Sequence, residues 1–132
     1  VGWDWIGMNL FDGSALMAFR VRKMDGTSVW QNATFRQPGK PDRIFDNSEI
    51  RFVVNKTWRS PATGATYPVT WRIELAGTSY TVRARVHEQE MNGGNGVGDV
   101  FWEGLSDLLD ANGRVIGSGY LEMSGYVPET NP

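Results

Sequence analysis

Apolar and polar residues alternate with a period of two along almost the whole chain, and short Asp-Gly, Ala-Gly and Asn-Gly interruptions punctuate the alternation. That spacing puts successive side chains on opposite faces of extended strands, and no stretch repeats at the helical period. Residues 3–10 and 15–23 flank Asp12-Gly13, and Asp25-Gly26 joins the second of these strands to residues 28–36. The prolines, glycine and asparagine of "QPGKPDRIFDNSE" read as a loop, residues 50–58 as a strand, and "RSPATGAT" as another loop. Residues 67–75 and 79–86 pair across 76–78, and residues 100–110 pair with 115–126 about Asn112-Gly113. Residues 88–99 read as a loop, with four glycines and little that can pack.

The pattern predicts an all-β fold of about eight or more sequential antiparallel strands, either an up-and-down β-barrel or a sandwich. Glycines 117, 119 and 125 share one face of the last strand and permit the sharp coiling that closure needs, which favours the barrel. With 132 residues, 40% hydrophobic and 21% charged, the chain is expected to form one domain over residues 1–132 with a substantial core. A formal net charge of −2 argues against a nucleic-acid surface, and the arginines of "FRVRK" and "VRARV" read as one polar face per strand. There is no cysteine and no apolar run of the roughly 18 residues that a membrane helix needs.

Inward faces can be assigned on two strands. Tyr67, Val69, Trp71, Ile73 and Leu75 share one side of 67–75, and Tyr80, Val82, Ala84 and Val86 share one side of 79–86. Six tryptophans are a large number for so short a chain; most are expected in the core, the rest lining a pocket.

The last hairpin raises an electrostatic question. With Asn112-Gly113 as a two-residue turn, Glu103 lies directly across from Glu122, and like charges so placed repel. Pointing outward, each is solvated or matched by an arginine such as Arg20 or Arg72. Pointing inward, their burial is compensated by arginine, or by one shared proton with one carboxyl held protonated as a general acid requires. Periodicity leaves both faces open, since Phe101, Leu105, Tyr120 and Tyr126 lie with the glutamates and Trp102, Leu121 and Met123 lie opposite. His87, the single histidine, has too few partners for a metal site, and none is expected.

"VGWDWIGMNLFDGSALMAFRVR", "SPATGATYPVTWRIEL", "FWEG" and "GSGYLEMSGY" together resemble the C-terminal lipocalin-like domain of AttH-like proteins, a family related to carotenoid 1,2-hydratase (hydroxyneurosporene synthase). The similarity covers nearly the whole chain. Trp3, Asp4 and Trp5 match the family's opening strand, and Arg20 and Arg22 match its second. Trp102, Glu103 and Gly104 match its "WEG", and Gly119, Tyr120, Leu121, Glu122, Gly125 and Tyr126 match its closing strand. The resemblance implies a lipocalin-like barrel and relatives with two such domains, among them hydratases and fungal cyclases of polyene or terpenoid-like substrates. Many relatives are bacterial and exported. The family's N-terminal half, with its Asp-His-Trp stretch, lies outside this sequence, and in the enzymes the reaction pocket involves both halves.

Three functions follow as expectations. As a binding module, the barrel takes a small, largely apolar, isoprenoid- or lipid-like molecule, with Phe19, Tyr67, Trp71, Trp102 and Tyr126 as walls and 88–99 as a lid. As half of a hydratase or cyclase, it uses Glu103, Glu122 and Tyr120 for general acid chemistry. As an interaction domain, it forms a homodimer or packs on the N-terminal barrel domain. No cofactor, nucleic acid or membrane span is expected.

Overall fold

The computed structural model describes residues 1–92 and 100–128. Ten strands follow in order: β1 (Gly2–Leu10), β2 (Ala15–Arg22), β3 (Ser28–Arg36), β4 (Arg43–Phe45), β5 (Ile50–Arg59), β6 (Thr66–Leu75), β7 (Thr78–Ala84), β8 (Glu90–Asn92), β9 (Val100–Leu109) and β10 (Val115–Ser124). They form one antiparallel sheet in the order β4-β3-β2-β1-β10-β9-β7-β6-β5, with β8 alongside β9. Except at β4/β5, where the path ends, and at β8, strands adjacent in sequence pair with each other, and β10 returns to pair with β1, which is the order of an up-and-down barrel. The sheet curls but its path ends at β4 and β5. Across that seam the Gln31 side chain of β3 donates to the carbonyls of Asn47 and Ile50, at 2.9 and 2.6 Å.

Two loops read as featureless carry structure. Arg43–Phe45 pairs with β3, and Asp46 and Glu49 form a capping box around a short 3-10 turn, Asn47–Glu49. Glu90–Asn92 pairs with the start of β9, so the expected lid begins as a strand, and its residues 93–99 lie outside the described residues. The chain leaves β7 at Ala84 and bends, which exposes Val86 rather than burying it.

The hairpin turns explain the registers. Ala76-Gly77 is a two-residue turn with both φ angles positive (47° and 90°), the conformation of a type I′ turn. The turn after β9 is longer than a two-residue Asn112-Gly113 turn. Asp110 and Arg114 close it around three residues, and Ile116 then bulges, so that Gly117 faces Leu108. The two offsets cancel. Glu103 therefore does stand across from Glu122, because a bulge restores the register.

The core lies inside the curl, built from Ile6, Met8, Leu16, Val69, Trp71, Ile73, Val82, Trp102, Leu108, Leu121 and Met123 among others. Val69 to Leu75 of β6 alternate as the sequence indicates, and Pro68, between Tyr67 and Val69, is buried as well. Close contacts require glycine at several positions, Gly119 and Gly104 among them. A Cβ on Gly119 would strike the Gly7 carbonyl and come within 2.8 Å of the Met8 Cα, so β10 approaches β1 there more closely than a side chain permits. A Cβ on Gly104 would lie 2.7 Å from the Trp102 ring, which lies over the backbone two residues ahead of it.

Candidate functional site

On β1 and β2 the inward face does not stop at the apolar residues. The alternation that buries Ile6 and Met8 also buries Asp4, and the one that buries Leu16 and Ala18 also buries Arg20 and Arg22. The three-residue turn between the strands sets Asp4 directly across from Arg20. An ionised group survives in such a place when it is paired and hydrogen-bonded, and these are. Asp4 Oδ2 accepts from Arg20 Nε at 3.0 Å and from Arg22 Nε at 3.2 Å, while Oδ1 accepts the Tyr126 hydroxyl at 2.6 Å. Arg22 also donates through Nη2 to the Ser124 carbonyl and through Nη1 to that of Gly125. Its guanidinium lies 3.5 Å from the Tyr126 ring centroid. Burial, followed by the charge of Asp4, pushes the Tyr126 hydroxyl far above the usual phenol range.

This cluster forms one wall of a cleft of about 270 Å³ at the end of the sheet where β2 finishes and β6 begins. Phe52, Val54, Pro68 and Trp71 form the apolar side, and Met24 and Gly26 of the β2–β3 turn form the rim. The Arg20 guanidinium sits 5.2 Å from the Phe52 ring and 5.0 Å from that of Trp71, where cation–π attraction holds its plane. Trp71 Nε1 is buried without a hydrogen-bond partner among the described residues.

A second polar cluster adjoins it. Glu90 of β8 accepts three hydroxyls: Ser60 at 2.5 Å, and Thr63 and Tyr67 at 2.7 Å each. Burial acts to raise the Glu90 pKa, but these hydrogen bonds outweigh it and leave the carboxyl below its ordinary range. Burial and the bond to Glu90 push the Tyr67 hydroxyl up. The rings of Tyr67 and Tyr126 are 5.4 Å apart and connect the two clusters.

Of the five expected wall residues, Trp71 and Tyr126 line the cleft and Tyr67 backs it. Trp102 is in the core, its Nε1 donating to the His87 carbonyl at 2.7 Å. Phe19 is on the opposite side of the sheet: alternation with Arg20 turns it outward, 6.4 Å from Trp3 and 5.8 Å from Trp30. Glu103, Glu122 and Tyr120 are also on the outer face, and Tyr120 is half exposed. Among the described residues no arginine pairs with these glutamates; Arg20 pairs with Asp4 and Arg72 with Glu74. Desolvation, then the charge of Glu103, raises the Glu122 pKa.

The outer face carries more apolar surface than expected. Trp3, Trp5, Phe19 and Glu122 surround a shallow depression, and a wider one of about 550 Å³ runs past Trp5, Met17 and Tyr120. Two of the six tryptophans, Trp71 and Trp102, are fully buried, which corrects the expectation that most are core. The buried ion cluster was missed because arginines at alternate positions read as a solvated face. The signal lay in Leu16 and Ala18, which continue that face inward.

A family model described as AttH-like matches residues 1–126. The chain belongs to the AttH-like family. An AttH protein of known structure from Nitrosomonas europaea is 38% identical, with a TM-score of 0.90 over 96% of this chain and 39% of its own. Kievitone hydratase from Nectria haematococca is 19% identical, with a TM-score of 0.71 over 92% of this chain and 38% of its own, a likeness of fold. The AttH-like chain thus spans about two fifths of the length of these solved structures. No curated protein matches it. The shared architecture is that of a lipocalin-like barrel domain.

Proposed function

We propose that this AttH-like domain binds a small, largely apolar molecule in the cleft between Arg20, Phe52, Trp71 and Tyr126. The observation that carries the reading is a cavity with an aromatic side and an adjoining set of buried, mutually oriented polar groups, the composition typical of small-molecule sites. The wider outer depression has no buried charged side chain in its lining; Arg36 there is exposed and paired with Asp42. Titration with the neutral, apolar fluorophore N-phenyl-1-naphthylamine tests the reading. Saturable enhancement is expected in the wild type, with loss in Val54→Phe, which narrows the cleft from its rim. No enhancement, or equal enhancement in both proteins, contradicts it.

The outer face supports a second reading, in which it packs against the remainder of a longer AttH-like polypeptide. Trp30, Met17, Tyr120 and Leu105 are exposed there, and the matched structures are more than twice as long as this chain. Isolated, such a face is expected to self-associate. Sedimentation that shows a monomer over a wide concentration range, with no difference in Trp30→Ser, counts against it. By its name the kievitone hydratase neighbour is a hydratase, and hydration by this chain would use carboxyl general acid chemistry. Glu103, Glu122 and Tyr120 then act on a substrate bound to the outer face, and Glu122, with its raised pKa, is the candidate acid.

A further inference from the structure

The charges around the cleft do not balance. Arg20 and Arg22 are the only charged side chains among the described residues that line it, and the one carboxylate that faces them, Asp4, lies behind them and out of the lining. Asp4 is fully used: both of its oxygens are occupied, by two guanidinium groups and a phenol. Arg22 is also used, with Nε on Asp4 and both terminal nitrogens on main-chain carbonyls. Arg20 is less so: its Nε and Nη2 both meet the same Asp4 oxygen, Oδ2, at 3.0 Å, which occupies one edge of the guanidinium, and Nη1 makes a 3.4 Å contact with the Ser28 hydroxyl, as long as that of Arg22 Nη1 with the Gly125 carbonyl. A guanidinium has five N–H donors in two forks, so the end-on fork of Arg20, between Nη1 and Nη2, keeps donors to spare. Two buried cations thus share one anion, and the surplus charge resides beside the aromatic wall of Phe52 and Trp71. Leaving a buried charge uncompensated is costly, and a planar oxyanion that approaches a free guanidinium fork is the partner that best removes the cost.

We propose that the ligand of this cleft is an amphipathic carboxylate, its anionic head on the end-on fork of Arg20 and its apolar body against Phe52, Trp71 and Val54. The inference rests on the reading of the cleft as a small-molecule site and adds the charge of the occupant. The size fits: about 270 Å³ holds one or two fused rings or a short acyl chain, not an extended polyene.

The test compares three ligands that share a naphthalene body and carry similarly small head groups, on the wild-type protein by calorimetry near neutral pH: 2-naphthoate, 2-naphthalenemethanol and the ammonium salt 2-naphthylmethylammonium chloride. The proposal expects naphthoate to bind about tenfold or more tightly than the alcohol, the return of a charge-assisted hydrogen bond. It also expects the ammonium salt not to bind, and the Arg20 Nε–H resonance to shift on titration with naphthoate. Equal affinity of acid and alcohol overturns the carboxylate proposal and leaves the cleft reading standing. Tighter binding of the ammonium salt, or naphthoate binding without a shift at Arg20, overturns it too. Failure of all three to bind overturns both the proposal and the reading beneath it.

Discussion

The hydroxyl of Tyr126 donates to Asp4 Oδ1 at 2.6 Å, and so ties the residues after the last strand to the beginning of the first. Asp4 depends on this bond as the one neutral donor in its shell, the others being Arg20 and Arg22. Tyr126→Phe removes the hydroxyl and keeps the ring under Arg22. A loss of about 1–2 kcal/mol in unfolding free energy is expected, the cost of leaving a charged acceptor one bond short. Asp4→Asn leaves two buried guanidinium groups without their anion, and about 3–5 kcal/mol is expected to be lost. Urea denaturation measures both, and the two variants must rank in that order.

Glu122 and Glu103 repel across the outer face of β9 and β10. The folded pKa of Glu122 is raised, so its contribution to stability is complete below the unfolded value of 4.5 and declines as pH rises through the folded value. At neutral pH the pair is therefore destabilising. Glu122→Gln is expected to stabilise the protein by about 0.2–1 kcal/mol at pH 7, toward the lower end for so exposed a group. The gain should fade below pH 4. Thermal unfolding of the two proteins across that range checks the sign.

Glu90 has the opposite dependence. Its three hydroxyl donors lower the folded pKa, so the stability it contributes is present above the unfolded value of 4.5 and is lost as pH falls through the folded value. Glu90→Gln cannot accept all three hydroxyls, because the amide nitrogen is a donor. About 1 kcal/mol is expected to be lost at pH 7, after allowance for the solvent around a half-exposed carboxylate. The difference from wild type should shrink in acid. Urea midpoints measured at pH 7 and pH 3 suffice.

Gly119 tests the closeness of β10 to β1. Any Cβ there meets the Gly7 carbonyl and the Met8 backbone, and backbone cannot swing aside as a side chain can. Gly119→Ala is expected to unfold the domain or lower its stability by several kcal/mol. Gly26→Ala, with open space around the glycine but a φ of 89°, should cost about 1–2 kcal/mol through backbone strain alone. Far-UV dichroism and thermal melts of the two variants separate contact from strain.

The curled antiparallel sheet was legible because the alternation and the Xaa-Gly turns act locally, and each hairpin follows from its own residues. Val69 to Leu75 show this, with every inward residue on the expected side. Facing was hardest where both sides of a strand carry large apolar groups. Phe19 read as a wall of the binding site and most tryptophans as core, yet Phe19, Trp3 and Trp5 lie on the outer side, because the inner side of β1 and β2 is given to Asp4, Arg20 and Arg22. The local sign of that choice was the alternation of Leu16 and Ala18, which carries on to Arg20 and Arg22. The ion cluster draws on β1, β2 and the residues after β10, so it exists only once the chain ends meet. The glutamate pair was legible in register but not in partners, since the arginines expected to neutralise it are held by Asp4 and Glu74. The strands Arg43–Phe45 and Glu90–Asn92 are too short for periodicity to reveal; pairing with β3 and β9 defines them.

The cleft beside Arg20 and Trp71 is tested most directly by the indole N–H region of a nitrogen-15 correlation spectrum, in which the six tryptophans give separate signals. On addition of 2-naphthoate, the Trp71 signal should shift and saturate, together with resonances of Phe52 and Tyr126, while those of Trp3, Trp5 and Trp30 stay in place. Shifts confined to Trp3, Trp5 and Trp30, or none at any, would contradict the account.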